Sequence, residues 1–146
     1  QNHGAGRTDR VRQGIRDGCI IQAGYSAIAW VAVFLVKRWA VGLVLGDAEP
    51  AIFNGAVEYL TVISVLFVLL GFLMFFRCTL QGLGYSVQAV ISGVGELIGR
   101  ALGGWLAVHQ LGYLGICISN PLAWGFALCY CVFMVTRVLK KESRAA

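Results

Sequence analysis

Thirty-six consecutive residues without Asp, Glu, Lys or Arg, Ala101 to Thr136, constrain this chain more than any other feature. Three shorter uncharged runs precede them: 19 residues between Asp17 and Lys37, 18 between Glu58 and Arg77, and 18 between Arg77 and Glu96. A bilayer core of roughly 30 Å is crossed by about 20 apolar residues at 1.5 Å rise each. Charged residues make up 13% of the chain and hydrophobic ones 58%, which leaves too little polar surface to cover a soluble globule. A soluble all-α core would show polar stripes of ordinary width, and these runs show none. Membrane β-strands would be about 10 residues long and alternating, which these runs are not.

The spacing predicts an all-α integral membrane chain with four spans: helix A over about 18–36, helix B over about 59–76, helix C over about 87–108 and helix D over about 114–135. The longer A–B connection runs from Lys37 to about Glu58. Within it Asp47-Ala-Glu-Pro50 reads as a helix start, with Asp47 as N-cap and helix B beginning near Ala48. RCTLQGLGYS forms the B–C turn and HQLGY the C–D turn, glycines giving the backbone its freedom.

A net charge of +5 would suit nucleic acid, but the positions of the basic residues argue otherwise. Arg7, Arg10, Arg12 and Arg16 precede helix A; Arg77 follows helix B; Arg137, Lys140, Lys141 and Arg144 follow helix D. Four spans put these nine on one side and Lys37 and Arg38 on the other, with Arg100 inside the membrane. Basic loops stay cytoplasmic, so both ends are expected inside, in a plasma (inner) membrane, with no nucleic-acid partner.

Cys19, Cys78, Cys117, Cys129 and Cys131 lie in or beside the spans and show no metal spacing; they read as free thiols acting as small hydrophobes. No nucleophile–base pair, Walker motif or paired carboxylate is present, so no enzyme, cofactor or metal site is expected. GVGELIG lies inside a span with no strand before it and is not a nucleotide fingerprint.

Four intramembrane features stand out. Glu96 and Arg100 form an i,i+4 pair on helix C, read as a self-neutralising structural pair in preference to an ion-coupling site. Gly95, Gly99 and Gly103 make a small-residue packing face, widened by Gly93 and Gly104. Asn120-Pro121 marks a start or kink of helix D, or a broken helix beside a substrate path. Gln22, Tyr25, Ser26, Tyr59, Thr61 and Ser64, with Asn120, are candidates to line a cavity for organic cations, or else to make contacts between helices. QNHGAG reads as the end of a helix, from which we expect further residues upstream.

QNHGAGRTDRVRQGIRDG resembles the segment after the eighth helix of MATE (multidrug and toxic compound extrusion) transporters. RCTLQGLGYS resembles their tenth-to-eleventh helix junction, and GELIGR and LGYLGICISNPLAW their eleventh and twelfth helices. The resemblance runs through essentially the whole chain and leans toward the MepA-like branch. It implies helices nine to twelve of a twelve-helix, two-lobe antiporter, with helices one to eight of the same protein as its partners in the bilayer. It further implies export of drugs and organic cations driven by inward proton or sodium flow. The family's coupling acids sit largely in the first, seventh and tenth helices. Helix B, which corresponds to the tenth, departs from this pattern, with no acid between Glu58 and Arg77. Rival readings are a lipid-linked oligosaccharide flippase of the same superfamily, a non-transport structural subunit, or a membrane-embedded enzyme, for which no catalytic His or acid cluster is present.

Overall fold

The computed structural model describes residues 1–145, with side chains described as far as Lys141. Four long helices follow one another: α1 (Thr8–Leu45), α2 (Pro50–Gly82), α3 (Ser86–Leu106) and α4 (Tyr113–Ala145). A π-helical turn, Ala107–Leu111, links α3 to α4. The other links are short: 46–49 between α1 and α2, and 83–85 between α2 and α3. The chain reverses at Gly46, Gly84 and Gly112, whose φ angles of +56°, +85° and +53° lie where a side chain is strained.

Several expected boundaries move outward. α1 carries Lys37 and Arg38 inside it, because nothing after Val36 breaks a helix until Gly46. Asp47 is not the N-cap of α2. Glu49 occupies that place without a side-chain cap bond, and Pro50 takes the first helical position, where its missing N–H costs nothing. RCTLQG is the last part of α2 rather than a turn. The expected HQLGY turn is helical up to Leu111. α4 begins at Tyr113 and runs through Pro121, so the proline lies inside the helix and does not start it. QNHGAG does end a helical turn: Gly6 N–H bonds to His3 O and Arg7 N–H to Asn2 O, the double bond pattern of a helix C-terminus.

Among the described residues three helices can cross a membrane by length and apolarity: α1, α2 and Tyr113–Lys141 of α4. α3 is the exception, since its 21 residues include Glu96, Arg100 and four glycines by 103.

The core is a seam of α2, α3 and α4. Leu73, Leu80, Ala127 and Cys131 have no exposed surface, and Trp124 packs beside Phe67 with ring centroids 6.1 Å apart. α1 leans on α2, where Phe75 covers Gly18 and where Gln22 and Ser26 cover Gly71. Only Ser26 and Val41 of α1 are buried. Its apolar residues, among them Ile21, Ile28, Leu35 and Val44, face outward, as lipid or further helices would require.

The closest backbone approach joins α3 to α4. Gly95 meets Ala127, Gly99 meets Ala123 and Gly103 meets Ser119; Gly115, in the first turn of α4, meets Ala107 at the start of the π turn. Each step forward by four on α3 is a step back by four on α4, the register of two antiparallel helices packed small on small. A methyl added to Gly103 would lie 2.6 Å from Ser119 Cα, so only glycine fits.

Candidate functional site

Glu96 lies near the middle of α3, on the side that faces α2. Its Oε1 pairs with the Arg77 guanidinium from α2, and its Oε2 accepts a hydrogen bond from Arg100 at 3.0 Å. The pair expected within helix C is therefore half of the arrangement. Arg77, expected as a loop charge beyond helix B, lies inside α2 and turns toward α3. Its Nε also donates to Ser92 Oγ at 2.9 Å, and Ser92 donates in turn to Ala89 O at 2.6 Å. Ser92 is buried, and the buried thiol of Cys131 from α4 lies beside Ser92 and Arg77.

From Arg100 the network continues outward. Arg100 Nε donates to Asn120 Oδ1 at 3.4 Å, and Asn120 Nδ2 donates to Tyr59 Oη at 3.4 Å. The line Tyr59–Asn120–Arg100–Glu96–Arg77–Ser92 thus ties α2, α3 and α4 together. Within it side-chain exposure is 50% at Arg100, 14% at Glu96 and 22% at Arg77, so the carboxylate is the most sheltered of the three charges. One carboxylate between two guanidiniums leaves an excess charge of +1. That arrangement gives both oxygens of Glu96 charge-assisted partners.

The expected cavity-lining residues divide between two places. Gln22 and Tyr25, with Ser26, line a groove of about 420 Å³ between α1 and α2, closed by Phe67, Gly71 and Met74. Gln22 Nε2 donates to Ser26 Oγ at 3.2 Å. Tyr59 lines a second groove, of about 470 Å³, with Val41, Leu60 and Tyr113. Asn120 belongs to the ion-pair network and not to the groove of Gln22 and Tyr25. Thr61 accepts a hydrogen bond from Lys37 Nζ at 2.7 Å and Ser64 donates to Thr61 O at 3.0 Å, so both serve contacts between or within helices. Lys37 also sits 4.0 Å from the centroid of the Phe34 ring. Pro121 is buried in α4 beside Asn120.

All five cysteines are free, with Cys117 and Cys131 buried. Among the described residues no group of three or more His, Cys, Asp or Glu is placed to hold a metal ion.

A family model described as MatE matches residues 1–106, which carries α1 to α3 and the whole Arg77–Glu96–Arg100 cluster. That match spans well over half of the 146 residues, and the chain belongs to the MatE family. The family's members are transporters, and this chain is an all-helical multi-pass membrane protein. Comparison with curated proteins gives no match, and comparison with solved structures gives none.

Proposed function

We propose that this chain is part of a secondary active antiporter that exports drugs or organic cations in exchange for protons or sodium ions. In this reading it supplies the last four helices of a twelve-helix, two-lobe protein of the MepA-like branch. The observation that carries the proposal is the MatE match over residues 1–106, laid on helices joined by three tight reversals. α3 serves as the fourth span: its 21 residues rise about 31 Å, enough for the hydrocarbon core. The burial cost of Glu96 is offset by the two arginines that flank it.

Both ends of α1–α4 then face the cytoplasm. Arg12 donates to Leu139 O, so the start of α1 and the end of α4 share one end of the bundle. With Arg77 withdrawn into α2, eight basic residues remain in the segments that carry those ends: Arg7, Arg10, Arg12, Arg16, Arg137, Lys140, Lys141 and Arg144. The groove of Gln22, Tyr25 and Phe67 offers π faces and an amide to an amphiphilic cation. Glu96, with both oxygens engaged, holds α2 against α3 in preference to exchanging protons.

The test is reconstitution of the full-length protein in liposomes with a fluorescent organic cation inside. Efflux should follow an imposed proton or sodium gradient and cease when the gradient is collapsed. Gradient-independent retention of the dye, with movement of a lipid-linked sugar across the bilayer, would replace this reading by the flippase one.

A further inference from the structure

At the end of α4 a cavity of about 590 Å³ is lined by Phe133, Thr136, Arg137, Lys140 and Lys141. The spacing explains why these five meet. Phe133, Arg137 and Lys141 recur every four residues, and Thr136 and Lys140 lie beside them on the same face of the helix. Two kinds of surface are stacked along the helix axis. Phe133 is 58% exposed on the membrane side, and the three cations follow one and two turns further out. None of the three forms an ion pair with a described residue; the ion pairs Arg77–Glu96 and Arg100–Glu96 lie on α2 and α3.

We propose that this surface binds an anionic glycerophospholipid, its phosphate against Arg137, Lys140 and Lys141 and an acyl chain along Phe133. Charge selects the headgroup: each Lys or Arg at a membrane surface adds to the attraction of an anionic lipid, and a cluster at a span's end concentrates it. The position selects a lipid over a soluble anion. The cations follow directly on the uncharged run that ends at Thr136, in a helix apolar and long enough to cross a bilayer. A phosphate held there leaves its acyl chains level with Phe133. Arg12 of α1 reaches the same level through Leu139 O, which keeps the start of α1 beside the site without occupying it. The proposal rests on the membrane reading alone and not on what is transported.

Thermal stability of the full-length protein in detergent, titrated with phosphatidylglycerol and separately with phosphatidylcholine, tests it. Phosphatidylglycerol should stabilise saturably and phosphatidylcholine should not. The triple change Arg137→Gln, Lys140→Gln, Lys141→Gln should weaken apparent affinity for phosphatidylglycerol on the order of 100-fold. The charge-preserving triple Arg137→Lys, Lys140→Arg, Lys141→Arg should retain it and serves if the neutral variant misfolds. Removing three cations elsewhere at the same end, Arg7→Gln, Arg10→Gln and Arg16→Gln, should cost no more than about threefold, since all three are exposed to screening by salt and none lines the cavity. Equal loss in both neutral triples would replace the site by a diffuse surface potential and overturn the proposal. Equal stabilisation by inorganic phosphate would assign the cations to a soluble anion and overturn the lipid. No response to phosphatidylglycerol would mean that another part of the protein covers this face, with the same consequence.

Discussion

Arg77 and Glu96, nineteen positions apart in the chain, meet across the α2–α3 reversal and leave Glu96 shared between two guanidiniums. Neutralising Glu96 therefore strands two cations. Glu96→Gln in the full-length protein should lower unfolding free energy by about 3–5 kcal/mol, the range for breaking a buried pair. Adding Arg77→Gln should recover more of the loss than adding Arg100→Gln, because Arg77 is 22% exposed and Arg100 50%. Thermal denaturation of the three variants checks the order. Greater rescue by Arg100→Gln would mean that the intrahelical pair dominates. A stable Glu96→Gln, Arg77→Gln variant that binds the dye but no longer couples efflux to the gradient would move Glu96 from a structural to a coupling role.

The α3–α4 contact should discriminate between neighbouring glycines. Gly103→Ala places a methyl 2.6 Å from Ser119 Cα and should destabilise by roughly 1–3 kcal/mol, as overpacking does. At Gly104, where a methyl would meet nothing within 4 Å, alanine should be neutral or stabilise by up to about 1 kcal/mol. Comparing the melting temperatures of these two adjacent variants is sufficient. Equal effects would show that α3 and α4 are not packed in this register.

Tyr113 fastens the beginning of α4 to α2 by donating to Gly55 O at 2.6 Å. Tyr113→Phe should cost about 0.5–1.5 kcal/mol, the net worth of one hydrogen bond. Hydrogen exchange should then rise locally at the first turns of α4 and not at the Arg77–Glu96 end. Unchanged protection there would remove this contact from the account.

Orientation is open to chemical labelling. In a cysteine-free background, Asp47→Cys should react with an impermeant thiol reagent in intact cells and Glu142→Cys should react only after lysis. The opposite pattern would invert the proposed topology.

Glu96 and Arg100 were legible in the sequence because a single helix fixes the geometry of an i,i+4 pair. Arg77 was not, because its partner depends on where α2 ends. Reading RCTLQG as a turn placed Arg77 outside the membrane, whereas the chain does not reverse until Gly84. A signal was present: no residue between Arg77 and Gly82 breaks a helix. The glycines of α3 announced a close contact without naming its partner, although Gly115, Ser119, Ala123 and Ala127 repeat the same spacing on α4. The split of Gln22 and Tyr25 from Tyr59 and Asn120 lay beyond pattern reading, since polar residues in apolar helices show no preference for which neighbour they face until the helices are packed.

The glycine-to-alanine contact between α3 and α4 has a thermodynamic consequence. Side chains with no rotamers have no rotamer freedom to lose, so bringing these backbones together costs almost no side-chain entropy. Inside a membrane, where expulsion of water cannot drive two helices together, contact energy then goes almost undiminished into association. The hairpin of α3 and α4 is thus suited to form early and to move afterwards as one body, with adjustment falling to α1, whose hold on the rest is looser.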